Sequence, residues 1–428
     1  MSGKCHQFTD MWMNRIQLSH RYGLFMGLFF VSQFLVIPIM TPLLMGFGMN
    51  IPQIGMIMAT MGITVMLLEL PTGGLADQVG RKKVFLIAML FSMLSYLVLL
   101  FFPSFIGGVV SMFLWGASIA ISSGTLTAWF VETFNESEGD MTLQSGFARV
   151  SARSSFFAAT GALIGAGIMF GGVELGFDTR QLYDVSLWIG LVCLGLVFLI
   201  AWAWIKEQRE FQPFSFALLA SVPTQMKNGL NAAKHPVLWR ILFAMFLTIP
   251  IGSAIEKFWP VRFEELSAGQ PLEWVYGLTY AVTLYLGSVA AVMTNWLCDK
   301  LGQQMGKVLM ISVTIRLLAA TLFALSGNVV MFVILFICYD FTNHLGKSAY
   351  SQLLHQSTDD SVRSTVDSLN SLVMRIGGVI GSLMCGFGAA YIGLVNIWLM
   401  CIVLAIGALF FYRSPKLNEA SEPADVAT

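Results

Sequence analysis

The chain has 428 residues, of which 56% are hydrophobic and only 11% charged, and its formal net charge is zero. A water-soluble protein carries roughly 25% charged residues, so most of this surface faces something apolar, and a balanced charge offers no attraction to nucleic acid. The six cysteines (Cys5, Cys193, Cys298, Cys338, Cys385, Cys401) show neither a disulfide framework nor metal-ligand spacing and read as small buried hydrophobes.

In chain order, a polar lead-in with Lys4, Arg15 and Arg21 comes first. It lacks the short apolar core and cleavage site of a secretory signal and reads as a cytoplasmic lead-in helix. A membrane-spanning helix needs about 20 mostly apolar residues. Such runs lie at 22–46, 51–76, 82–102, 104–133, 143–172 and 184–205, and again at 237–261, 273–298, 306–327, 329–352, 362–392 and 393–413. Lipid leaves no backbone group unpaired, and these runs are too long for barrel strands, so the expectation is an all-α membrane protein with twelve spans. The domain reading is a six-helix bundle over 1–205, a linker over 206–236, a second bundle over 237–413 and a disordered cytoplasmic tail over 414–428. The linker holds Pro213, Pro223 and the apolar stretch 214–222. It reads equally as a helix lying on the membrane surface or as a loose connection. Lys and Arg crowd the loops on the side of the two termini, whereas Arg180 and Arg262 fall opposite, which puts both termini in the cytoplasm.

One stretch stands out between the second and third runs: Gly73-Gly74-Leu75-Ala76-Asp77-Gln78-Val79-Gly80-Arg81-Lys82-Lys83. A fainter copy ends the eighth run, and one constant offset carries Leu75 to Leu297, Asp77 to Asp299 and Gly80 to Gly302. The same offset carries Pro38 to Pro260 and Gly124 to Gly346. Three separated anchors in one register imply two related halves.

Gly73-x-Leu75-Ala76-Asp77-x-x-Gly80-Arg81-Lys82 resembles the signature between the second and third helices of the major facilitator superfamily. The resemblance implies two pseudo-symmetric six-helix bundles. It also implies a conformational latch made by Gly73, Asp77, Gly80, Arg81 and Lys82, echoed by Asp299 and Gly302. In that latch Asp77 meets the start of the eleventh span and Arg81 pairs with Asp359 or Asp360. Two features depart from the family's drug exporters. The fourth span has no Arg, and the fifth reads Gly161, Gly165, Gly167 without the antiporter Pro.

A charge at the centre of a spanning helix costs roughly 2.5–3.5 kcal/mol, so buried ionisable groups should face partners or a wet cavity. Asp340 and Arg375 lie near the middle of adjacent spans, which suggests an ion pair. Asp340, His344 and Lys347 share one helix face at i, i+4, i+7. Glu69, Glu256, Asp340 and His344 are the proton-coupling candidates, with Glu69 placed at the cavity or at the interface between halves. Gln33, Trp115, Trp129, Asp340, Asn370 and Arg375 are the candidates for substrate contact. A Glu132–Arg149 contact is expected near the cytoplasm. Pro38 and Pro260 are expected to kink the first and seventh spans.

The leading functional expectation is a secondary active transporter that works by alternating access. It would be driven by the proton gradient, with no bound cofactor and no metal, and would act as a monomer in the inner membrane of a bacterium. Proton-coupled export of an amphiphilic drug, siderophore or metabolite is the preferred subclass. Proton-coupled import of an organic anion, sugar or peptide is the alternative. A membrane enzyme or non-transporting sensor is the reading from another class. The five dispersed His and the lack of a convergent nucleophile–base or metal set speak against catalysis.

Overall fold

The computed structural model describes residues 14–72, 75–205, 231, 234–358, 363–414 and 417. The linker over 206–236 and the tail after 414 therefore lie almost wholly outside the described residues, as do Gly73, Asp359 and Asp360. Among the described residues, twelve helical segments are long and apolar enough to span a membrane. Those of the first half are Arg15–Gly46, Ile51–Glu69, Arg81–Phe101, Phe105–Glu136, Leu143–Glu174 and Thr179–Trp204. Those of the second half are Leu238–Ser267, Trp274–Lys300, Met305–Ala324, Val329–Gln356, Thr365–Ile392 and Leu394–Tyr412. They are called the first to twelfth spans below. The near end of the bundle is the one carrying Arg15, Gly80 and Lys300.

Each half packs on aromatic side chains. Tyr22 stacks on Phe130 at 4.6 Å between ring centroids in the first half. Trp259 stacks on Phe336 at 4.4 Å in the second, and Phe323 lies 5.2 Å from Trp398. Outward-facing Leu67, Leu322 and Phe410 stay exposed, as suits helices solvated by lipid tails.

Two spans are interrupted in the same way. The fourth breaks between helices Phe105–Ser122 and Thr125–Glu136, and the tenth between Val329–His344 and Lys347–Gln356. The two residues at each break have type II turn angles. Ser123 (φ −55°, ψ 123°) is followed by Gly124 (φ 71°, ψ −17°), and Leu345 (φ −64°, ψ 138°) by Gly346 (φ 84°, ψ −8°). Type II turns need positive φ at their third residue, which is why glycine stands there. The two glycines are those related by the internal repeat.

The first and seventh spans differ. The first span stops at Phe34, passes through a 3-10 turn at Ile37–Ile39 and resumes as Met40–Gly46. The seventh runs unbroken from Leu238 to Ser267 with Pro250 and Pro260 inside it. Its carbonyls near the prolines are taken by other spans. Thr248 O accepts from Arg316, Ala254 O from Trp398 Nε1, and Lys257 O from Thr41 of the first half at 2.7 Å. Side-chain donors of this kind are what let proline sit inside a spanning helix.

Besides the Thr41–Lys257 bond, two long seams join the halves among the described residues. The second and eleventh spans run together from Gly55 against Gly386, past Gly62 against Val379, to Glu69 against Ser371. The fifth and eighth spans meet toward the far end, where a Cβ on Gly277 would stand 2.4 Å from Ala162 O and Phe170 packs edge-on against Trp274. Toward the near end Arg149, Ser151 and Ala152 of the fifth span and Val292, Met293 and Asn295 of the eighth are exposed. The molecule is thus sealed at the far end and splayed along this second seam at the near end.

Candidate functional site

The ionisable groups inside the membrane lie overwhelmingly in the second half. From Tyr22 to Leu68 the chain has no Asp, Glu, Lys, Arg or His, and the interiors of the third, fourth and sixth spans have none either. The second half brings Glu256 and Lys257 on the seventh span, Arg316 on the ninth, Asp340, His344 and Lys347 on the tenth, and Arg375 on the eleventh.

Glu256 is exposed although it sits in a spanning helix whose neighbours Ile255, Phe258 and Trp259 are fully buried. Its charged neighbours are Lys257, Asp340, His344 and Lys347. The tenth span contributes a continuous polar chain. Asp340 Oδ2 lies 3.4 Å from His344 Nε2, and His344 Nδ1 lies 3.1 Å from Lys347 Nζ. A lysine ammonium only donates, so it fixes Nδ1 as acceptor and puts the proton of a neutral imidazole on Nε2, facing Asp340. The three residues stay in contact across the break at Leu345–Gly346. Arg316 anchors the rear of the cluster on Thr248 O (2.8 Å) and Asn343 Oδ1 (3.1 Å).

The expected Asp340–Arg375 pair is not made; Asp340 is held by His344 on its own helix instead. Similar depth on adjacent spans does not fix the direction in which each side chain points. Arg375 lies beside Lys257, whose ammonium donates to Ser382 Oγ at 2.8 Å. Glu69 stands at the interface between halves, where Ser371 Oγ donates to Oε2 at 2.9 Å. Asn370 accepts from Tyr350 Oη of the tenth span at 2.5 Å. Gln33 is buried on the helix face that carries Met26 and Phe30, and its Nε2 has no hydrogen-bond partner among the described residues.

Trp115 and Trp129 do not join this group. Trp115 packs edge-on against Tyr96, and Trp129 against Tyr22 and Trp204, inside the first bundle. Both are large apolar rings on helices enclosed by others, so packing claims them. Cys338 also departs from expectation, being exposed.

At the turn after the second span, Asp77 lies on a short helix, Leu75–Val79, and its side chain is outside the described part of the structure. Gly80 (φ 105°) opens the third span, and Gly302 (φ 60°) holds the matching turn of the second half, where Gln303 Nε2 donates to Asp299 at 2.9 Å. Arg81 is buried and pairs with Glu132 of the fourth span at 2.6 Å, and Lys82 donates to Trp202 O of the sixth. Glu132 thus serves the motif arginine, and Arg149 makes no ion pair with it. A separate cavity of about 670 Å³ lies at the far end between Tyr183, Glu264, Gln270 and Glu273, away from the ionic cluster.

Sequence reasoning missed Ser253, Ser371 and Ser382. Single serines in apolar helices carry no periodic signal, yet these three take part in the hydrogen bonds around the seventh and eleventh spans.

The family model described as Major Facilitator Superfamily matches residues 23–382 and 268–427. The chain belongs to the major facilitator superfamily. It is an integral, multi-pass membrane transporter of that family. One relative is the uncharacterized MFS-type transporter YxaM of Bacillus subtilis (strain 168), 21% identical over 390 residues, covering 86% of this chain and 88% of the relative. Among solved structures, the nucleoside transporter NupG aligns with a TM-score of 0.72 at 13% identity, over 93% of this chain and 99% of that one. A POT family transporter in complex with a thioalcohol-conjugated peptide aligns with a TM-score of 0.70 at 13% identity, over 93% and 96%. A bacterial homologue of the human lysosomal transporter Spinster, in an inward-facing and unoccupied conformation, gives 0.69 at 12% identity, over 95% and 97%. At these identities the structural likeness concerns the fold.

Proposed function

We propose that this transporter is a proton-coupled secondary carrier that works by alternating access and exports a small amphiphilic compound, such as a drug, siderophore or metabolite. The observation that carries the reading is the connected chain Asp340–His344–Lys347 with Glu256 facing it, set in a space sealed at the far end. Two carboxylates and an imidazole away from bulk water can exchange a proton when their partners move, and substrate arrival is what would move them. The near end is cytoplasmic in this reading, supported by the Lys and Arg of its loops. Loading from that side suits an exporter. Arg81, Lys82 and the turn at Gly80 tie the second, third, fourth and sixth spans into one body that rocks as a unit.

Proton-driven import of an organic anion is the second reading, and the observation favouring it is the excess of cations away from the span ends of the second half, where Lys257, Arg316, Lys347 and Arg375 stand against Glu256 and Asp340.

Purified protein in proteoliposomes loaded with a pH-sensitive dye distinguishes them. Ethidium, salicylate and a trihydroxamate siderophore are offered with and without an imposed proton gradient. Gradient-driven movement of a compound with protons moving the opposite way supports export; co-movement supports import. Asp340→Asn should abolish the proton dependence while leaving downhill exchange. Folded protein that moves none of the compounds, or unchanged coupling in both Asp340→Asn and Glu256→Gln, contradicts the proposal.

A further inference from the structure

Arg375 sits well inside the eleventh span, on the helix face that also carries Ser371 and Ser382. Among the described residues it has no hydrogen bond, ion pair or ring contact. Its charged neighbour is Lys257, another cation. A guanidinium does not deprotonate in proteins, so the charge cannot be shed, and a charge at this depth is costly unless matched.

The carboxylates that could match it are engaged elsewhere. Asp340 faces His344. Glu69 accepts from Ser371, one turn along the same seam. Glu256 has Lys257 and Lys347, and not Arg375, as its cationic neighbours. Away from the span ends, the second half sets Lys257, Arg316, Lys347 and Arg375 against Glu256 and Asp340, four cations to two carboxylates. The wall contributed by the first span is aromatic: Phe30 and Phe34 are both half-exposed, with ring centroids 6.3 Å apart. One wall thus offers an unmatched cationic corner and the other an apolar face.

We propose that Arg375, with Lys257 beside it, is the anchor for an oxyanion, so that the transported compound carries a carboxylate or phosphate on an aromatic or apolar body. The planar fork of arginine suits both groups, because each presents two oxygens to parallel N–H donors. The inference rests on the transport reading in one respect, that the substrate enters this chamber.

The test is binding to the purified full-length protein, followed by thermal shift. The probes are salicylate, phenyl phosphate, benzyl alcohol and benzylamine. Salicylate or phenyl phosphate should raise the unfolding midpoint, whereas the alcohol and the amine should not; the difference between the two anions identifies the preferred group. R375Q should weaken anion binding by about tenfold or more, the usual worth of a charge-assisted hydrogen bond. R375K should fall between, retaining charge and losing the fork. If R375Q does not fold, protection of wild-type Arg375 from phenylglyoxal by salicylate, read by peptide mass spectrometry, decides instead. Equal anion binding by wild type and R375Q, stabilisation by benzylamine alone, no response to either anion, or no protection would each overturn the proposal. Arg375-dependent anion binding without any flux would remove the transport reading and leave this one standing. Proton-driven flux unaltered in R375Q would do the reverse.

Discussion

Ser371 of the eleventh span donates its hydroxyl to Glu69 of the second at 2.9 Å, and this bond crosses from one half of the molecule to the other. A hydrogen bond to a charged group contributes about 1.5–3 kcal/mol, and this one exists only while the halves are held together along this seam. Both residues lie toward the near end, so Ser371→Ala should favour opening of that end, shifting the balance between access states by about tenfold for each 1.4 kcal/mol lost. Spin labels at Ala152 and Asn295, across the near end, should then show more of their longer distance. Glu69→Gln, whose amide oxygen still accepts, should stay close to the wild-type distribution. A larger shift in Glu69→Gln than in Ser371→Ala would contradict the role given to this bond.

The far-end closure depends on backbone approaching backbone at Gly277. A Cβ there would meet Ala162 O at 2.4 Å and Ala166 N at 2.8 Å, neither of which can swing away. Gly277→Leu should keep the far end from closing, raise thiol labelling of Ala281→Cys, which is buried at this seam, and slow transport. Overpacking of this kind also costs about 1–3 kcal/mol, visible as a lower unfolding midpoint. Wild-type transport with a wild-type midpoint would show that the seam tolerates separation.

The paired breaks in the fourth and tenth spans make a graded prediction. Both Gly124 and Gly346 have positive φ, so alanine at either costs about 1–2 kcal/mol of backbone strain. At Gly124 the added Cβ meets nothing, whereas at Gly346 it presses on Ser312 at 3.1 Å. Gly346→Ala should lower the unfolding midpoint more than Gly124→Ala, and Gly346→Ala combined with Ser312→Gly should recover part of the difference. Equal loss from the two single substitutions would mean that φ alone sets the cost.

These residues also show what the sequence could and could not convey. The twelve spans were legible because lipid demands a length and an apolarity that no soluble helix needs. The breaks at Gly124 and Gly346 were legible as a register, since the repeat aligned them, though not as turns. For Glu69 the sequence left two places open, the cavity or the interface between halves, and the bond to Ser371 puts it at the interface. The Asp340–His344 contact followed from i, i+4 spacing on one helix. The Asp340–Arg375 pair did not form, because counting along two helices gives depth but not the angle at which each faces the other. Trp115 and Trp129 pack within the first bundle, which depth could not show either: a ring in an apolar span looks alike whether it faces a chamber or its own bundle. The serines that join Glu69 and Lys257 to the eleventh span depend wholly on that angular information.

The central claim is that the two halves rock about the ionic chamber, opening one end as the other closes. Double electron–electron resonance measures this directly, with one spin-label pair at Ala152 and Asn295 across the near end and another at Leu175 and Gln270 across the far end, in a background whose native cysteines are serine. All four positions are exposed, so labels should not disturb packing. Comparing the protein at neutral and acidic pH, with and without salicylate, should reveal two distances for each pair whose populations change in opposite directions. A single unchanging distance at both ends under every condition would contradict the account.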